Sequence, residues 1–321
     1  MESTRPPDSD SPAPVGGAQR QTLNYVLGLL RAHGLEAKSK LGQNFLIDLN
    51  LMDLVVRAAE ITRDDAILEV GTGTGGLTHR LIELAGAVLS VEIDSGFHAL
   101  AKRTIAGQCS HVRLVRGDIL RSKNELNAEV TQAWLEVAKA GNTKNLKLVA
   151  NLPYAVAVPV MANLLVLGPV PALQVGMVQW EIAERLAAQP GQSAFGAISV
   201  LAQSLTRVSI VRRLPPKAFF PAPKVDSAIV KLESNMEARA ALEARLMGTG
   251  EVPPVVRWRN FLRDLYCHRR KNLRGALISL PNQTLSKPEV DQRLAQAGMD
   301  GSLRAETLPI DTHIQLCELF G

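Results

Sequence analysis

The sequence predicts an α/β fold with a parallel sheet, followed by a smaller all-helical domain. Short apolar segments alternate with helical ones between residues 50 and 234, which is typical of strands joined by crossover helices. A glycine-rich turn joins the first of these strands to a helix. The segments after Met236 all look helical instead. We therefore expect an α/β domain over residues 21–234 and a helical domain over residues 235–321.

Periodicity and turn residues predict the order of the elements. The segment 21–33 looks helical, and Asp48 can cap a helix over 50–60. The predicted strands are 66–70, 87–94, 111–118, 147–154, 172–179 and 227–232, and the further helices are 74–84, 130–140, 235–247, 256–280 and 287–299. The polar stretch 121–146 is a long insertion for an α/β unit.

The composition is that of an ordinary globular protein, since 46% of the 321 residues are hydrophobic and 21% are charged. The formal net charge of +5 permits a polyanionic partner without proving one. Cys109, Cys267 and Cys317 are far apart and form no C-x-x-C pair. This spacing argues against a disulfide scaffold or a zinc site, so we expect no metal and a reducing, cytoplasmic location.

An uncharged stretch between Lys147 and Glu181 is long enough to cross a membrane. Prolines disrupt a helix interior, and four of them interrupt this stretch: Pro153, Pro159, Pro169 and Pro171. We therefore expect buried strands and a core helix there, and no membrane span. Residues 1–20 are rich in proline and glycine and have no apolar core, so we expect a disordered tail and no signal peptide.

The segment Glu69–Gly76 is the first candidate for a ligand site. Its glycines allow the backbone to approach a ligand and free the N–H groups at the start of the next helix. Gly71, Gly73 and Gly76 also fit the dinucleotide pattern G-x-G-x-x-G, and Glu92 is placed to accept two ribose hydroxyls. On these residues alone, a nicotinamide enzyme and an S-adenosylmethionine enzyme are nearly tied.

The segment Asn-Leu-Pro-Tyr at the end of the fourth strand breaks this tie. The lone pair of an exocyclic amine is delocalised into its ring, and two acceptors that hold its N–H bonds make the nitrogen more nucleophilic. The side-chain oxygen of Asn151 and the carbonyl of Leu152 are placed to do this, while Pro153 fixes the turn. Tyr154 offers a face on which the base can stack. Asp118, at the end of the third strand, can accept a hydrogen bond from an adenine amine.

A proline-stiffened loop, AFFPAPKVDS, precedes the last strand and carries two adjacent phenylalanines. One of them can stack on the other face of a flipped base. Burial tendencies favour Phe220 as a core residue. We therefore assign the stacking role to Phe219.

The segment from Arg257 to Arg274 is strongly basic, and Asp264 is its one acidic residue. Apolar residues recur in it at helical spacing, so we expect a helix with a core face and an opposite face that meets phosphates. The alternative is a charged face that is only solvated. The residues expected to bind RNA are Arg269, Arg270, Lys271 and Arg274.

Taken together, the motifs resemble the small-subunit (16S) ribosomal RNA adenine N6,N6-dimethyltransferases. The matching segments are GQNFLID (42–48), ILEVGTGTGGLT (67–78), VEID (91–94), GD (117–118), NLPY (151–154), FPAPKVDSAIV (220–230), HRRKNLR (268–274) and LRAETL (303–308). The resemblance implies a Rossmann-like class I methyltransferase domain that uses S-adenosyl-L-methionine. It also implies dimethylation of two adjacent adenines near the 3′ end of small-subunit rRNA. We expect a monomer that acts on an assembling 30S particle.

The resemblance also assigns residues to the cofactor. Asn44 and Leu46 would line the pocket, Glu92 would hold the ribose, Asp118 the adenine amine, and Asn151 both cofactor and target. The full set of expected cofactor residues is Gln43, Asn44, Leu46, Gly71, Gly73, Glu92, Ile93, Asp118, Ile119 and Asn151.

Three features within the matched region depart from the family pattern: the insertion 121–146, Ala155-Val156 where Asn-Ile is expected, and Thr72 at the usual proline position. One alternative is a large-subunit rRNA adenine methylase, which the FPAPKVDS, HRRKNLR and LRAETL segments disfavour. Another is a non-catalytic nucleic-acid-binding relative, which the presence of Glu92, Asp118 and the NLPY motif disfavours.

Overall fold

The computed structural model describes residues 22–38, 42–105, 111–248, 252–281 and 284–321. The predicted tail and Cys109 lie outside these ranges. The strands are β1 (Phe45–Leu46), β2 (Asp65–Val70), β3 (Ala87–Glu92), β4 (Val112–Arg116), β5 (Leu120–Ser122), β6 (Glu125–Leu126), β7 (Asn145–Asn151), β8 (Leu173–Gln179), β9 (Thr206–Leu214), β10 (Phe219–Phe220) and β11 (Ser227–Ser234).

Helices lie between these strands and after the last one. The helices are α1 (Leu23–Ala32), α2 (Leu49–Ala58), α3 (Gly76–Leu84), α4 (Ser95–Thr104), α5 (Ala128–Ala140), α6 (Tyr154–Val166), α7 (Trp180–Ala187), α8 (Ala197–Leu205), α9 (Met236–Arg245), α10 (Pro254–Cys267), α11 (Leu273–Ile278), α12 (Lys287–Gln296) and α13 (Ile310–Phe320). Asp48 caps α2 as predicted, since its carboxylate accepts hydrogen bonds from the N–H groups of Asn50 and Leu51.

A seven-stranded sheet in the order β4-β3-β2-β7-β8-β11-β9 forms the centre of the fold. The first five strands in this order are parallel, and β11 runs antiparallel to both of its neighbours. The predicted α/β class is therefore confirmed. The chain leaves β2 toward β3 on one side and later reaches β7 on the other, so the strand order reverses between β2 and β7. Ligands bind at the carboxyl ends of strands at such a reversal.

The uncharged stretch noted in the sequence forms β7, α6 and β8. β8 is buried at nearly every position, and Pro159 lies inside α6, which contributes buried residues to the same core. The apolar character of this stretch therefore reflects burial on both faces of the sheet. Among the described residues, no helix has both the length and the apolar character needed to cross a bilayer.

The insertion 121–146 forms the β5–β6 hairpin and α5, in agreement with the predicted helix. Trp134 of α5 is fully buried, and its indole N–H donates to the carbonyl of Ala66 in β2 at 3.2 Å. The insertion therefore covers one face of the sheet.

The helices after residue 235 pack against the sheet domain and share one continuous apolar core with α6 and α8. Trp258 of α10 is fully buried, and its N–H donates to the hydroxyl of Ser204 in α8 at 3.0 Å. The predicted boundary falls between β11 and α9. The single helix predicted over 256–280 is wrong, because α10 ends at Cys267 and Asn272 caps a separate helix, α11.

Candidate functional site

A cleft of about 280 Å³ opens at the carboxyl ends of β2, β3 and β7, where the strand order reverses. Side chains and backbone from β1 and the loop before it form one wall. The lining residues are Gly42, Gln43, Asn44, Phe45, Val70, Gly71, Gly73, Val91, Glu92, Ile93, Gly117, Asp118, Ile119, Asn151, Pro153, Ala155 and Val156. Nine of the ten residues predicted to bind the cofactor are in this set, and Leu46 is not.

The glycine turn after β2 forms the floor of the cleft. Gly71 and Gly73 have φ angles of +89° and +53°, a region that residues with a side chain rarely adopt. A Cβ atom on Gly73 would lie 3.1 Å from the ring of Phe45, which is closer than normal van der Waals contact. Gly73 is therefore needed both for the turn and for the approach of β1.

Glu92 ends β3 and is only 5% exposed. One carboxylate oxygen accepts a hydrogen bond from the N–H of Gly73 and the other from the N–H of Asp94, both at 2.9 Å. Burial raises the pKa of Glu92, and these two hydrogen bonds oppose the rise. Because an ionised carboxylate has about four acceptor positions, each oxygen keeps capacity for a ligand hydroxyl.

Asp94 ties the segment before the cleft to the sheet. It caps α4 by accepting from the N–H groups of Gly96 and Phe97. Its other oxygen forms an ion pair of 2.6 Å with the Lys38 ammonium group. The N–H of Lys38 in turn donates to the side chain of Gln43 at 2.7 Å. These contacts, which the sequence analysis did not anticipate, position the loop that carries Gln43 and Asn44.

Glu69 is a buried carboxyl group beneath the glycine turn. It accepts hydrogen bonds from the hydroxyls of Thr78 in α3 and Ser90 in β3, at 2.7 and 2.6 Å. The hydroxyls of Ser90 and Thr72 are also hydrogen bonded to each other. Burial raises the pKa of Glu69 to about 8, against the lowering effect of these hydrogen bonds. The carboxyl group joins β2, β3 and α3 beneath the glycine turn.

Asn151 ends β7 and faces the cleft. Its side-chain nitrogen donates to the carbonyl of Asn44 at 2.7 Å. This bond fixes the orientation of the amide and directs its nitrogen toward the β1 segment. Within the described parts of the chain, no hydrogen bond reaches its oxygen, Oδ1, which is thus available as an acceptor. The side chain of Leu152 is buried, so this residue can offer only its backbone to a ligand.

Tyr154 begins α6 and is half-buried. Its hydroxyl is hydrogen bonded to the hydroxyl of Ser227, the first residue of β11, at 2.5 Å. Burial raises the pKa of Tyr154. Pro153 and Ala155, on either side, line the cleft directly. The sequence predicted a free ring face at Tyr154, and the structure adds a bond that fixes the ring.

The assignment of Phe219 to base stacking is wrong. Phe219 is 3% exposed and packs in an apolar cluster with Leu46. In the β1–β10 ribbon Phe219 pairs with Leu46, and Phe220 pairs with Phe45. Directly paired residues lie on the same face of a ribbon and their neighbours lie on the other. Phe219 and Leu46 therefore face the core, which explains why Leu46 does not line the cleft. The partly buried Phe220 lies on the face of Phe45 and packs at the edge of a second apolar cluster, formed with α1 and α4.

Asp118 is exposed at the far end of the cleft, just beyond β4. Its carboxylate accepts from the N–H of Leu120 at 2.9 Å, a local turn that leaves other acceptor positions open. Ile119, the next residue, is buried, and Ile93, which also lines the cleft, is exposed. The described residues contain no cluster of histidine, cysteine or carboxylate side chains suited to a metal ion.

The predicted RNA-binding residues lie in and after the turn between α10 and α11, and none of them lines the cleft. All four are exposed. Arg274 forms an ion pair with Asp291, Lys271 donates to the hydroxyl of Ser279, and Arg269 donates to the carbonyl of Ser193. Arg270 makes no hydrogen bond or ion pair with any other described residue.

Comparison with known proteins identifies the family. The model of the family described as "Ribosomal RNA adenine dimethylase" matches residues 34–309. The "Ribosomal RNA small subunit methyltransferase A" of Moorella thermoacetica is 35% identical over 90% of this chain and 94% of that protein. The protein of the same name from Lactiplantibacillus plantarum is 36% identical over 90% of this chain and 92% of that one.

Two solved structures share the fold. A dimethyladenosine transferase from Plasmodium falciparum has a TM-score of 0.63 at 24% identity, and the match covers 84% of this chain and 94% of that one. The 23S rRNA methyltransferase ErmE has a TM-score of 0.58 at 21% identity, with 86% and 99% covered. At these identities the likeness shows the fold alone.

The family match extends over most of the chain, and its description names both the base and the kind of RNA that the sequence motifs predicted. The predicted class of enzyme, an rRNA adenine dimethyltransferase, is therefore confirmed. The names of the relatives favour the small-subunit interpretation over the large-subunit alternative. The chain belongs to the family of ribosomal RNA adenine dimethylases.

Proposed function

We propose that this chain transfers methyl groups from S-adenosyl-L-methionine to the N6 amines of two adjacent adenines near the 3′ end of small-subunit rRNA. Its substrate is a 30S particle during assembly in the cytoplasm, and the enzyme acts as a monomer. The observation that chiefly supports this proposal is the position of Asn151, whose amide is held by Asn44 at the mouth of the cleft with its oxygen available.

The residues of the cleft fit a nucleoside cofactor. Glu92 keeps acceptor capacity on both carboxylate oxygens, as two ribose hydroxyls require. Asp118 can accept from an adenine amine, and the apolar residues Ile93 and Ile119 also line the cleft. The backbone of Gly71 can approach the rest of the molecule closely. When bound, S-adenosyl-L-methionine supplies an electrophilic methyl group on a sulfonium centre.

For the first methyl transfer, Asn151 and the carbonyl of Leu152 hold the two N–H bonds of the target amine; for the second transfer one N–H bond remains to be held. With both bonds directed at acceptors, the nitrogen lone pair points toward the methyl group. The nitrogen forms its bond to the methyl carbon as the carbon–sulfur bond breaks and sulfur keeps the electron pair. The methylated amine is acidic enough to lose a proton to water, so no strong base is required. Acceptors aimed at the reacting group stabilise the transition state more than the bound substrate.

The target adenine must leave its stack before it reaches these acceptors, at a cost of a few kcal/mol. Stacking on aromatic rings offsets about 1–3 kcal/mol of this cost per base. Tyr154 provides one ring, which Ser227 holds in place. Phe220 provides the second, since Phe219 is buried.

The helical region over residues 235–321 is proposed to hold the RNA, through the exposed basic turn between α10 and α11. Replacing Arg269, Arg270 and Lys271 together by glutamine removes up to three phosphate contacts. The slope of log affinity against log salt should then decrease by roughly 0.7–0.9 per contact. Binding of the 30S particle is measured across a salt series, with cofactor affinity as the control. An unchanged slope would mean that this turn is only a solvated charged surface.

The direct test uses undermethylated small subunits and labelled S-adenosyl-L-methionine, followed by mapping of the modified nucleotides. We expect label on two adjacent adenines near the 3′ end of the rRNA. Label on large-subunit RNA alone would favour the large-subunit alternative. A folded protein that fails to bind the labelled cofactor would instead be a non-catalytic relative.

A further inference from the structure

An aromatic–arginine pair lies on the same edge of the sheet as the cleft and has no part in the reaction described above. Trp180 follows β8 directly, and Arg213 belongs to β9. The guanidinium carbon of Arg213 lies 4.4 Å from the centre of the Trp180 ring. Arg213 also donates to the carboxylate of Asp226, at 2.6 and 2.7 Å, and the carbonyl of Asp226 accepts from the N–H of Trp180 at 2.9 Å. Asp226 therefore holds both members of the pair in place.

The strand register places this pair beside Tyr154. Ser227 pairs with Gln179 in the β8–β11 ladder and with Leu214 in the β11–β9 ladder. Because β8 lies between β7 and β11, the bond from Tyr154 to Ser227 crosses the end of β8. Trp180 is the next residue after that end. Tyr154, the ring on which the target base is proposed to stack, and the Trp180–Arg213 pair are thus neighbours along one edge of the sheet.

The pair is accessible and lies in a basic environment. The Trp180 side chain is partly exposed, and the Arg213 side chain is 56% exposed. Exposed cations occur in the segments around the pair: Arg212 on β9, Lys217 in the turn after β9, and Lys224 in the loop before β11. The nearest acidic residue on α7, Glu181, forms an ion pair with Arg185. The carboxylate of Asp226 neutralises Arg213 alone, so this edge keeps a positive charge that favours a polyanion.

We infer that Trp180 and Arg213 form a second stacking platform, which takes an unpaired nucleotide adjacent to the target adenine. The inference rests on the proposed function, because it assumes that a single-stranded RNA segment enters at Tyr154. Aromatic faces stack any base, and arginine adds its own planar face and charge. The guanidinium covers one part of the indole and keeps N–H groups for a phosphate, while the exposed part of the indole takes the base.

Tryptophan fluorescence tests this platform directly. Of the three tryptophans, Trp134 and Trp258 are fully buried. The probe is an unstructured, adenine-rich RNA octamer, added to the full chain in the presence of S-adenosylhomocysteine so that no turnover occurs. We expect emission to decrease and to saturate as the RNA binds, and we expect no decrease in Trp180→Phe. Anisotropy of labelled RNA measures binding independently of the tryptophans.

The matched charge variants are Arg213→Gln and Arg207→Gln. Both positions are exposed on β9, but Arg207 lies near the opposite end of the strand, where it is opposite Glu233 of β11 in the strand register. Six residues of β strand separate the two by roughly 20 Å. Arg213→Gln should weaken octamer binding by about 10-fold, and Arg207→Gln by no more than about 2-fold. Equal losses in the two variants would mean that only net charge matters and would overturn the platform.

Two further outcomes would overturn it: unchanged emission at RNA concentrations where anisotropy shows saturation, or a decrease that persists in Trp180→Phe. Methyl transfer to undermethylated small subunits is measured on the same preparation. Normal transfer without a change in emission would reject the platform and leave the proposed function intact. A decrease in emission without transfer would reject the proposed function and support the platform as an RNA-binding surface.

Discussion

On the proposed cofactor side of the cleft, Gly73 lies in the turn after β2, and Glu92, 19 residues later, ends the adjacent parallel strand β3, so a main-chain N–H and a carboxylate meet at the same edge of the sheet. On the target side, Asn151 bonds to Asn44, 107 residues away, and Tyr154 to Ser227, 73 residues away. The first side depends on one continuous segment, β2–turn–α3–β3. The second exists only when distant segments have packed together.

This difference determines how each side should respond to substitution. If the proposed assignment holds, loss of a residue on the cofactor side removes direct bonds to the cofactor and should appear as weaker cofactor binding. Loss of a residue on the target side disturbs the alignment of the reacting amine and should appear in the rate of transfer. The comparison can therefore be tested by measuring affinity and single-turnover rate separately in the same variants.

The largest effect is expected for Asn151→Ala. In the proposed mechanism the side-chain oxygen of Asn151 acts mainly in the transition state, so its loss should lower the methyl-transfer rate by about 10²–10³-fold, as for one transition-state hydrogen bond in other enzymes. Binding of the small subunit should be nearly unchanged, because the proposed RNA-binding turn between α10 and α11 lies outside the cleft. Single-turnover methylation with pre-bound subunits measures the rate. A wild-type rate in this variant would contradict the proposal that Asn151 holds an N–H bond of the target amine.

An effect of comparable size is expected for Glu92→Ala on the proposed cofactor side. Two hydrogen bonds to a carboxylate, each contributing about 1.5–3 kcal/mol, are lost, so cofactor affinity should decrease by about 100-fold or more. Glu92→Gln should bind nearly as weakly, since its NH₂ group would face the N–H donor of Gly73 or Asp94. Calorimetry measures both variants. Unchanged affinity in folded Glu92→Ala would contradict the site.

The sequence alone located the glycine turn and Glu92 at the cleft, whereas it did not locate the contacts that hold Asn151 and Tyr154. The turn with Gly71 and Gly73, and Glu92 at the next strand end, follow from local rules about glycine, strand ends and parallel order. The strands of the parallel part were located for the same reason. No local sequence pattern predicts that the Asn44 carbonyl anchors Asn151, because every residue has a backbone carbonyl.

The incorrect predictions also involve contacts that a local sequence pattern does not reveal. Phe219 and Phe220 differ by one position in a two-residue strand, and their faces are set by pairing with β1, which is far away in the sequence. Their order could not be read from burial tendency. The antiparallel edge strand β9 was missed. The predicted helix 256–280 was broken at Asn272, where capping overrides a continuous apolar period.

Phe219→Ala and Phe220→Ala form a matched pair that tests the corrected assignment. Phe219 is a core residue, so its truncation should reduce the free energy of unfolding by about 3–5 kcal/mol. Phe220→Ala should destabilise the protein less and slow methyl transfer by about 10-fold. Denaturant unfolding and single-turnover rates separate the two effects. A stable Phe219→Ala variant with a selective loss of transfer would restore the original assignment.

The smallest effect is expected for Tyr154→Phe, and it depends on the bond across the end of β8. The ring face stays, so transfer should decrease by roughly 3-fold as the ring loses its anchor, whereas Tyr154→Ala should lose considerably more. Ser227 is fully buried, and Tyr154→Phe leaves its hydroxyl without this partner, which costs about 1–3 kcal/mol of stability. The double variant Tyr154→Phe/Ser227→Ala removes the orphaned hydroxyl and should therefore be more stable than Tyr154→Phe alone, with the same transfer rate. If the double variant is the less stable one, or if Tyr154→Phe is as slow as Tyr154→Ala, the hydroxyl does more than anchor the ring.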